Sequence, residues 1–162
     1  GRIMLTSSAS GIYGNFGQSN YGAAKAAMVG LMNVLHHEGA KNNIRVNTLA
    51  PTAATRMLEG LIPPQVADLM APELVTPGVL YLVSEDAPSK TILGAGAGCF
   101  SVVHIYETPA VFVGGANATV DDVAANWAKI SNPANEQPID AAFAQTNKFV
   151  AAAAEALGVK LG

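Results

Sequence analysis

The sequence is poor in charged residues and in cysteine. Only 13% of its 162 residues are charged, and the net charge of -3 provides no basic patch for nucleic acid or an anionic membrane. The lone cysteine, Cys99, excludes an intrachain disulfide and favours a reducing compartment. No apolar run reaches the roughly 18 residues that a membrane span requires. We therefore expect a cytoplasmic protein with neither a nucleic-acid nor a membrane partner.

Hydrophobic residues are plentiful by contrast. They make up 50% of the chain, which is high for a small monomer and suits a chain that buries surface against a partner. The sequence starts at Gly1 rather than Met and enters an apolar, strand-like run at once. We expect this start to be an interior point of a larger fold.

Strand-like and helix-like segments alternate over the first hundred residues. The first predicted elements are a strand at 2–6, a loop to Gln18 and a helix from Ser19 to Gly39, capped by Ser19 or Asn20. A strand at Ile44–Leu49 follows and is ended by Pro51. Helices are then predicted at 65–70 and at 79–83, the second capped by Thr76, before a strand at Ile92–Ile105. Such alternation predicts an α/β fold with a parallel sheet and helical crossovers. Three strands are too few for a sheet covered on both faces, so we expect the sheet to be incomplete.

The character of the sequence changes after about residue 101. Thr119 and Asp122 have the spacing of a capping box before a predicted helix at Val120–Ile130. A loop at 132–138 and an alanine-rich helix at Ile139–Leu157 follow. We predict two parts: an α/β part at residues 1–101 and a mostly helical C-terminal extension at residues 102–162.

Tyr21 and Lys25 form the most informative local pair. Residues four apart lie on the same helix face. A nearby ammonium favours the phenolate form of a tyrosine and so assists proton transfer at neutral pH. Ser8, at the end of the first predicted strand, can hold a substrate oxygen with its hydroxyl. A Tyr–Lys pair alone is a weak signal, because such pairs are common on solvated helices.

The residues around this pair make it specific. Ser8, the segment Gly14-Asn-Phe-Gly-Gln18, the Tyr21–Lys25 pair and Arg45-Val-Asn-Thr-Leu-Ala-Pro51 occur in an order that resembles the second half of the short-chain dehydrogenase/reductase family. The resemblance implies the distal half of a Rossmann-like doubly wound parallel sheet with a helical C-terminal extension. It also implies NAD as cofactor, with NADP not excluded, and a phosphate-binding turn in an upstream half that this sequence does not contain.

The resemblance implies a role for each matching residue. Tyr21 is the general acid/base, Lys25 assists it and binds the nucleotide ribose, and Ser8 orients the oxygen that is oxidised or reduced. Cofactor contacts are implied for Tyr21, Lys25, Pro51, Thr52, Ala54 and Thr55. The loop that faces the presumed cleft adds Ser10 and Gln18 to Ser8 as candidate substrate contacts, with Tyr13 and Phe16 as weaker ones. Two positions depart from the pattern of the family: Thr52 replaces the usual glycine, and Arg56 replaces a frequent threonine.

One branch of the family matches further. Thr6–Tyr21, Gly94–Gly98 and the tail segment Val123–Trp127 are similar to the (3R)-hydroxyacyl-CoA dehydrogenase unit of peroxisomal multifunctional enzymes and their bacterial relatives. This implies hydride transfer between NAD(H) and a (3R)-3-hydroxyacyl-CoA, or alternatively a 17β-hydroxysteroid. It also implies a homo-oligomer, at least a dimer, with Trp127 at the interface. The N-terminal half of the fold, on the same polypeptide or a separate chain, is the expected partner needed for activity.

A function of another class stays open, namely a non-catalytic interaction domain derived from this fold.

The other motifs of the sequence point less specifically to a functional site. The glycine run Gly94–Gly98 leads into a strand-like segment, whereas a phosphate cradle needs a helix start behind it. His36 and His37 point about 100° apart on a helix, so we predict no metal site. Cys99 is predicted to be a small buried hydrophobe and His104 a structural residue of the last strand.

Overall fold

The computed structural model describes residues 1–55 and 63–161. The chain divides into two compact units, Gly1–Val103 and His104–Gly162. Each unit has its own secondary structure.

The first unit is built on a four-stranded sheet. Its strands are β1 (Arg2–Thr6), β2 (Arg45–Thr52), β3 (Ile92–Gly96) and β4 (Cys99–Val103), in that spatial order. β1, β2 and β3 are parallel, while β4 returns antiparallel to β3. The parallel strands are joined through helices, so the predicted α/β class is confirmed.

Over residues 1–55 and 63–103, four α-helices accompany this sheet. They are α1 (Ala9–Ile12), α2 (Ser19–Gly39), α3 (Pro64–Leu69) and α4 (Thr76–Leu82), with short 3₁₀ turns at Ala40–Asn42 and Pro72–Val75. α2 ends in a turn whose Asn43 has a left-handed φ of 53°, which reverses the chain into β2.

Two apolar clusters bury the central strand β2 from opposite sides. Met32 of α2 packs with Val46 and Ile92, whereas Leu82 of α4 packs with Leu49 and other residues of the second cluster. Successive strand residues point to opposite faces, so a strand covered on both sides reads as a continuous apolar run. Two fully buried residues of β2 are polar, Asn47 and Thr48. The amide of Asn47 donates to Leu82 O and Pro88 O and accepts from the Thr91 N–H, and the Thr48 hydroxyl contacts Met32 Sδ.

The second unit contains two helices and a two-residue ladder. α5 (Val120–Ile130) and α6 (Ala142–Leu157) follow the strand β5 (Tyr106–Glu107), which pairs antiparallel with β6 (Gln137–Pro138). The predicted capping box is confirmed: the Asp122 N–H donates to Thr119 Oγ1, and the Thr119 N–H donates back to Asp122.

A small polar cluster ties α6 to β5 within this unit. Gln145 Nε2 donates to Glu107 at 3.0 Å, and Lys148 Nζ lies 3.2 Å from the same oxygen. The Gln145 hydrogen bond, assisted by Lys148, holds the pKa of the Glu107 carboxyl below its usual value.

The prediction of one strand at Ile92–Ile105 is wrong. β3 and β4 form a hairpin, because Ala97 and Gly98 adopt left-handed φ angles of 51° and 71°. Two consecutive left-handed residues are typical of the tight turns that join antiparallel strands. Cys99 then begins β4 and is exposed, so its predicted burial is wrong as well. His104 lies just beyond β4 and is also exposed.

Several predicted boundaries also differ. Neither Ser19 nor Asn20 caps α2; Gln18 occupies the cap position without a side-chain bond, and Asn20 Oδ1 accepts from the adjacent Tyr21 N–H. The predicted loop before α2 contains the short helix α1. β2 runs on through Pro51 to Thr52 instead of ending before the proline. Thr76 is the first residue of α4 rather than its cap, and α6 starts at Ala142 rather than Ile139.

Candidate active site

The candidate site lies at the edge where β1 and β2 end. Because the two strands are parallel, their carboxyl ends meet at the same edge, and Thr6 stands opposite Leu49 in the register. In open α/β sheets this edge is where ligands bind. Ser8 lies two residues beyond the end of β1, and Pro51 and Thr52 close β2.

Ser8 is the N-cap of α1. Its backbone is extended, with φ −164° and ψ 156°, and its Oγ accepts a hydrogen bond from the Ser10 N–H at 3.2 Å. Among residues 1–55 and 63–161, no group accepts the hydroxyl proton of Ser8. That proton is therefore available for donation to a substrate oxygen.

Tyr21 and Lys25 occupy the first two turns of α2. The Tyr21 side chain is 39% exposed. Lys25 Nζ lies 5.7 Å from the centre of the Tyr21 ring and donates to Thr6 O at 3.1 Å. An ammonium has three N–H donors, so two remain for other ligands beside the Thr6 carbonyl. The structure thus brings Tyr21 and Lys25 together with the strand end that leads into Ser8.

Ser10 and Gln18 contact each other directly. Ser10 Oγ donates to Gln18 Oε1 at 2.6 Å, while the Gly22 N–H donates to Gln18 O at 2.7 Å. The first bond fixes the Gln18 amide with its oxygen toward Ser10, which leaves the NH₂ group as the donor for a ligand. Tyr13 is 72% exposed and Phe16 is fully exposed, so neither is packed against the described part of the chain.

Close packing of α1 on α2 sets the spacing between Ser8 and Tyr21. A Cβ at Gly11 would lie 2.7 Å from Ala26 N and from Lys25 C, both of them backbone atoms of α2. On the other side, a Cβ at Gly22 would lie 3.1 Å from Ser10 O. A side chain at Gly11 would therefore require one of the helices to move, whereas one at Gly22 would require a shift of only a few tenths of an ångström.

Sequence reasoning missed one residue at this edge, Ser7. It is 1% exposed, and its Oγ donates to Lys25 O at 2.8 Å. The available signal was a second small polar residue between an apolar strand and Ser8. That signal does not identify a partner, because Lys25 is distant in sequence and only the packing of α2 brings it near.

The other predicted cofactor contacts lie at and beyond the end of β2. Pro51 is half-buried, and Thr52 and Thr55 are exposed. The Ala54 N–H donates to Met70 O at 2.7 Å, so this donor is not available to a nucleotide in the present arrangement. Arg56 lies outside the described residues. The ammonium of Lys25 and the exposed Tyr21 ring are accordingly the groups best suited to hold a nicotinamide nucleotide.

Other candidates are placed away from this edge. His36 Nδ1 lies 2.8 Å from Ser89 Oγ, and its ring meets that of His37 edge-on at 5.0 Å between centroids. Over residues 1–55 and 63–161 no three His, Cys, Asp or Glu side chains are grouped as metal ligands would be. Within the same residues no helix is both long and apolar enough to cross a membrane.

Comparison with known proteins identifies relatives over most of the chain. Residues 1–64 match the family model of the short chain dehydrogenases. A short-chain type dehydrogenase/reductase of Mycobacterium tuberculosis is 45% identical over 137 residues, which cover 82% of this chain and 46% of that protein. An acetoacetyl-CoA reductase of Acinetobacter is 44% identical over 95 residues, which cover 52% of this chain and 38% of the reductase.

A solved structure also matches beyond the family model. Full-length peroxisomal multifunctional enzyme type 2 from Drosophila melanogaster superposes with a TM-score of 0.82 at 30% identity, over 97% of this chain and 29% of that one. The chain spans less than half the length of each of these three proteins. The matches bear out the resemblance noted from Ser8, Tyr21, Lys25 and the tail.

Proposed function

This chain belongs to the short-chain dehydrogenase family, and we propose that it is the chemistry-bearing, C-terminal part of a nicotinamide-dependent oxidoreductase. The observation that carries the proposal is the position of Lys25, whose ammonium lies 5.7 Å from the centre of the Tyr21 ring and donates to Thr6 O, two residues before Ser8. An exposed tyrosine, a neighbouring cation and a serine with an unused hydroxyl proton are the groups that proton transfer to or from an alcohol needs.

The roles follow from what each group is able to donate or accept. In oxidation, Tyr21 Oη takes the hydroxyl proton of the substrate, and in reduction it returns that proton to the carbonyl oxygen. The Ser8 hydroxyl donates to the same oxygen and fixes its direction. The ammonium of Lys25 places a positive charge beside the Tyr21 ring, and its two unused N–H donors suit the ribose hydroxyls of a nucleotide.

The nicotinamide nucleotide, when bound, supplies the hydride acceptor or donor. We propose that Tyr21 and Lys25 hold the nucleotide. Further contacts are proposed along the adjacent edge, from Pro51, Thr52, Ala54 and Thr55. We propose NAD, with NADP as the alternative, and we assign neither the phosphate contacts nor the ribose selector to the described residues. The N-terminal half of the fold, on the same or a separate polypeptide, is the proposed source of those contacts.

The proposed substrate is a (3R)-3-hydroxyacyl-CoA and its 3-ketoacyl partner. Support comes from the similarity to a protein named acetoacetyl-CoA reductase and from the match of both units to a peroxisomal multifunctional enzyme. Ser10 and Gln18 are the proposed substrate contacts, with the amide NH₂ of Gln18 as donor. A 17β-hydroxysteroid is the second candidate, and a non-catalytic interaction domain is the alternative of another class.

The decisive experiment uses the complete protein that contains this chain. We expect NAD reduction with (3R)-3-hydroxybutyryl-CoA, followed at 340 nm, and weaker turnover with estradiol. Tyr21→Phe should lower kcat by at least about 100-fold, the usual weight of a general acid or base, while NAD binding stays nearly unchanged. Turnover of that variant near the wild-type rate would remove Tyr21 from its role. Tight NAD binding by this chain alone would contradict the proposed division of the cofactor site.

Assembly and location are part of the same proposal. The relatives include bacterial proteins and one named for the peroxisome, so we propose either the cytoplasm or the peroxisome as the compartment. We propose a homo-oligomer, at least a dimer, with the 60% exposed Trp127 at an interface. Sedimentation of the complete protein tests the oligomer, and Trp127→Ala should weaken it.

A further inference from the structure

Ser7 links three elements at the candidate site. It is 1% exposed and follows β1 immediately. Its N–H donates to Leu49 O of β2 at 2.7 Å, and its hydroxyl donates to Lys25 O of α2 at 2.8 Å. One buried residue therefore joins the end of β1 both to the neighbouring strand and to the helix that carries Tyr21.

Lys25 is held from the same strand end at a second point. Its ammonium donates to Thr6 O at 3.1 Å, so consecutive residues of the strand end bind both the charged group and the backbone of one lysine. The backbone of Gly11 closes on Lys25 from α1, as the 2.7 Å approach of a Cβ built there shows. The main chain and the side chain of Lys25 are thus fixed independently.

The Ser7 hydroxyl is not needed to complete α2. Lys25 is an interior residue of α2, so its carbonyl also serves as acceptor for the helical N–H four residues further on. The serine uses the second lone pair of that oxygen. Removal of the hydroxyl therefore leaves no unsatisfied carbonyl, and its main effect is on the position of the helix relative to the strand end.

We propose that Ser7 is a positioning residue, which holds α2 at Lys25 against the strand end and so keeps Tyr21 and Lys25 in register with Ser8. This inference rests on the proposed dehydrogenase function. Proton transfer is sensitive to such register, since a misplacement of about 1 Å costs roughly 100-fold in rate. A looser α2 changes the alignment of Tyr21 with the substrate oxygen more than it changes binding of the substrate or nucleotide.

Ser89 offers a matched control in the same unit. Its Oγ accepts the Val46 N–H of β2 at 3.0 Å and lies 2.8 Å from His36 Nδ1 of α2. Like Ser7, it connects α2 to the sheet, but at the other end of the helix. Ser89→Ala also leaves the Val46 N–H without this acceptor, so it disturbs folding at least as much as Ser7→Ala does.

The test compares both variants in the complete, active protein. Ser7→Ala should lower kcat about 10-fold, within the range that misalignment allows, with each KM changed less than twofold and a larger solvent deuterium isotope effect on kcat. Ser89→Ala should lower the Tm and leave kcat and the isotope effect near wild type.

The possible failures are distinguishable. If wild type turns over and Tyr21→Phe is inactive, but Ser7→Ala keeps wild-type kcat and isotope effect, only the positioning role is overturned. Equal losses of kcat in Ser7→Ala and Ser89→Ala, at an unchanged isotope effect, would also overturn it, because they indicate a general loss of stability. A wild-type protein without dehydrogenase turnover, or an active Tyr21→Phe, overturns the function on which the inference rests.

Discussion

Gly11→Ala is the sharpest structural test of the candidate site. The added methyl group would lie 2.7 Å from the Ala26 nitrogen, the Lys25 carbonyl carbon and the Lys25 Cβ. Two of these three are backbone atoms within a helix, which cannot turn aside as a flexible side chain can. Helix α1 must therefore move away from α2, and with it Ser8, which caps α1.

This clash lowers the free energy of unfolding. Overpacking of this kind destabilises by about 1–3 kcal/mol. This chain alone has 162 residues, and in proteins of about 150–250 residues each kcal/mol lowers the Tm by about 2–4 °C. We therefore expect a Tm decrease of about 2–12 °C for Gly11→Ala. We also expect a lower kcat at temperatures where the variant is folded, because Ser8 and Tyr21 separate.

Gly30→Ala is the matched control. Gly30 lies on α2 as well, but a Cβ there meets no atom within 4 Å. Alanine is favoured over glycine in a helix interior by roughly 0.8–1 kcal/mol, so this variant should be more stable than wild type. Calorimetry of the complete protein should show a lower Tm for Gly11→Ala and a higher Tm for Gly30→Ala, and kcat should fall only in Gly11→Ala. A Gly11→Ala protein as stable and as active as Gly30→Ala would refute the close approach of α1 to α2.

Two further predictions concern residues outside the site. Asn47→Ala removes the buried partner of Leu82 O, Pro88 O and Thr91 N, so we expect a loss of about 1–3 kcal/mol in the free energy of unfolding, measured by urea titration; a loss below about 0.5 kcal/mol would contradict it. The hydroxyl and N–H of Thr119 lower the pKa of Asp122, so its contribution is present above the ordinary carboxyl pKa and is lost as the pH falls through the lowered one. Thr119→Ala should lower the stability at neutral pH and have a smaller effect in acid, as measured by unfolding at several pH values, and a loss independent of pH would contradict the capping box.

The sequence alone was sufficient where the interaction is local. Thr119 and Asp122 are three residues apart, and Tyr21 and Lys25 are four apart, so helix geometry by itself brings each pair together. The alternation of apolar strand and helix segments likewise predicted the α/β class, because burial on both faces demands it. The family resemblance rests on short segments and on their order along the chain, both of which can be recognised without the fold.

Tertiary structure decided the contacts that join distant segments. The bond between the Ser7 hydroxyl and Lys25 O exists only because α2 packs on the end of β1, and no periodicity in either segment reveals it. The turn at Ala97–Gly98 places a non-glycine residue in a left-handed conformation, which the ladder between β3 and β4 stabilises and local preference does not. That hairpin, and not the apolar surroundings of Cys99 in the sequence, determines that the thiol is exposed. Local chemistry thus points to the proposed reacting groups, and long-range packing sets the distances between them.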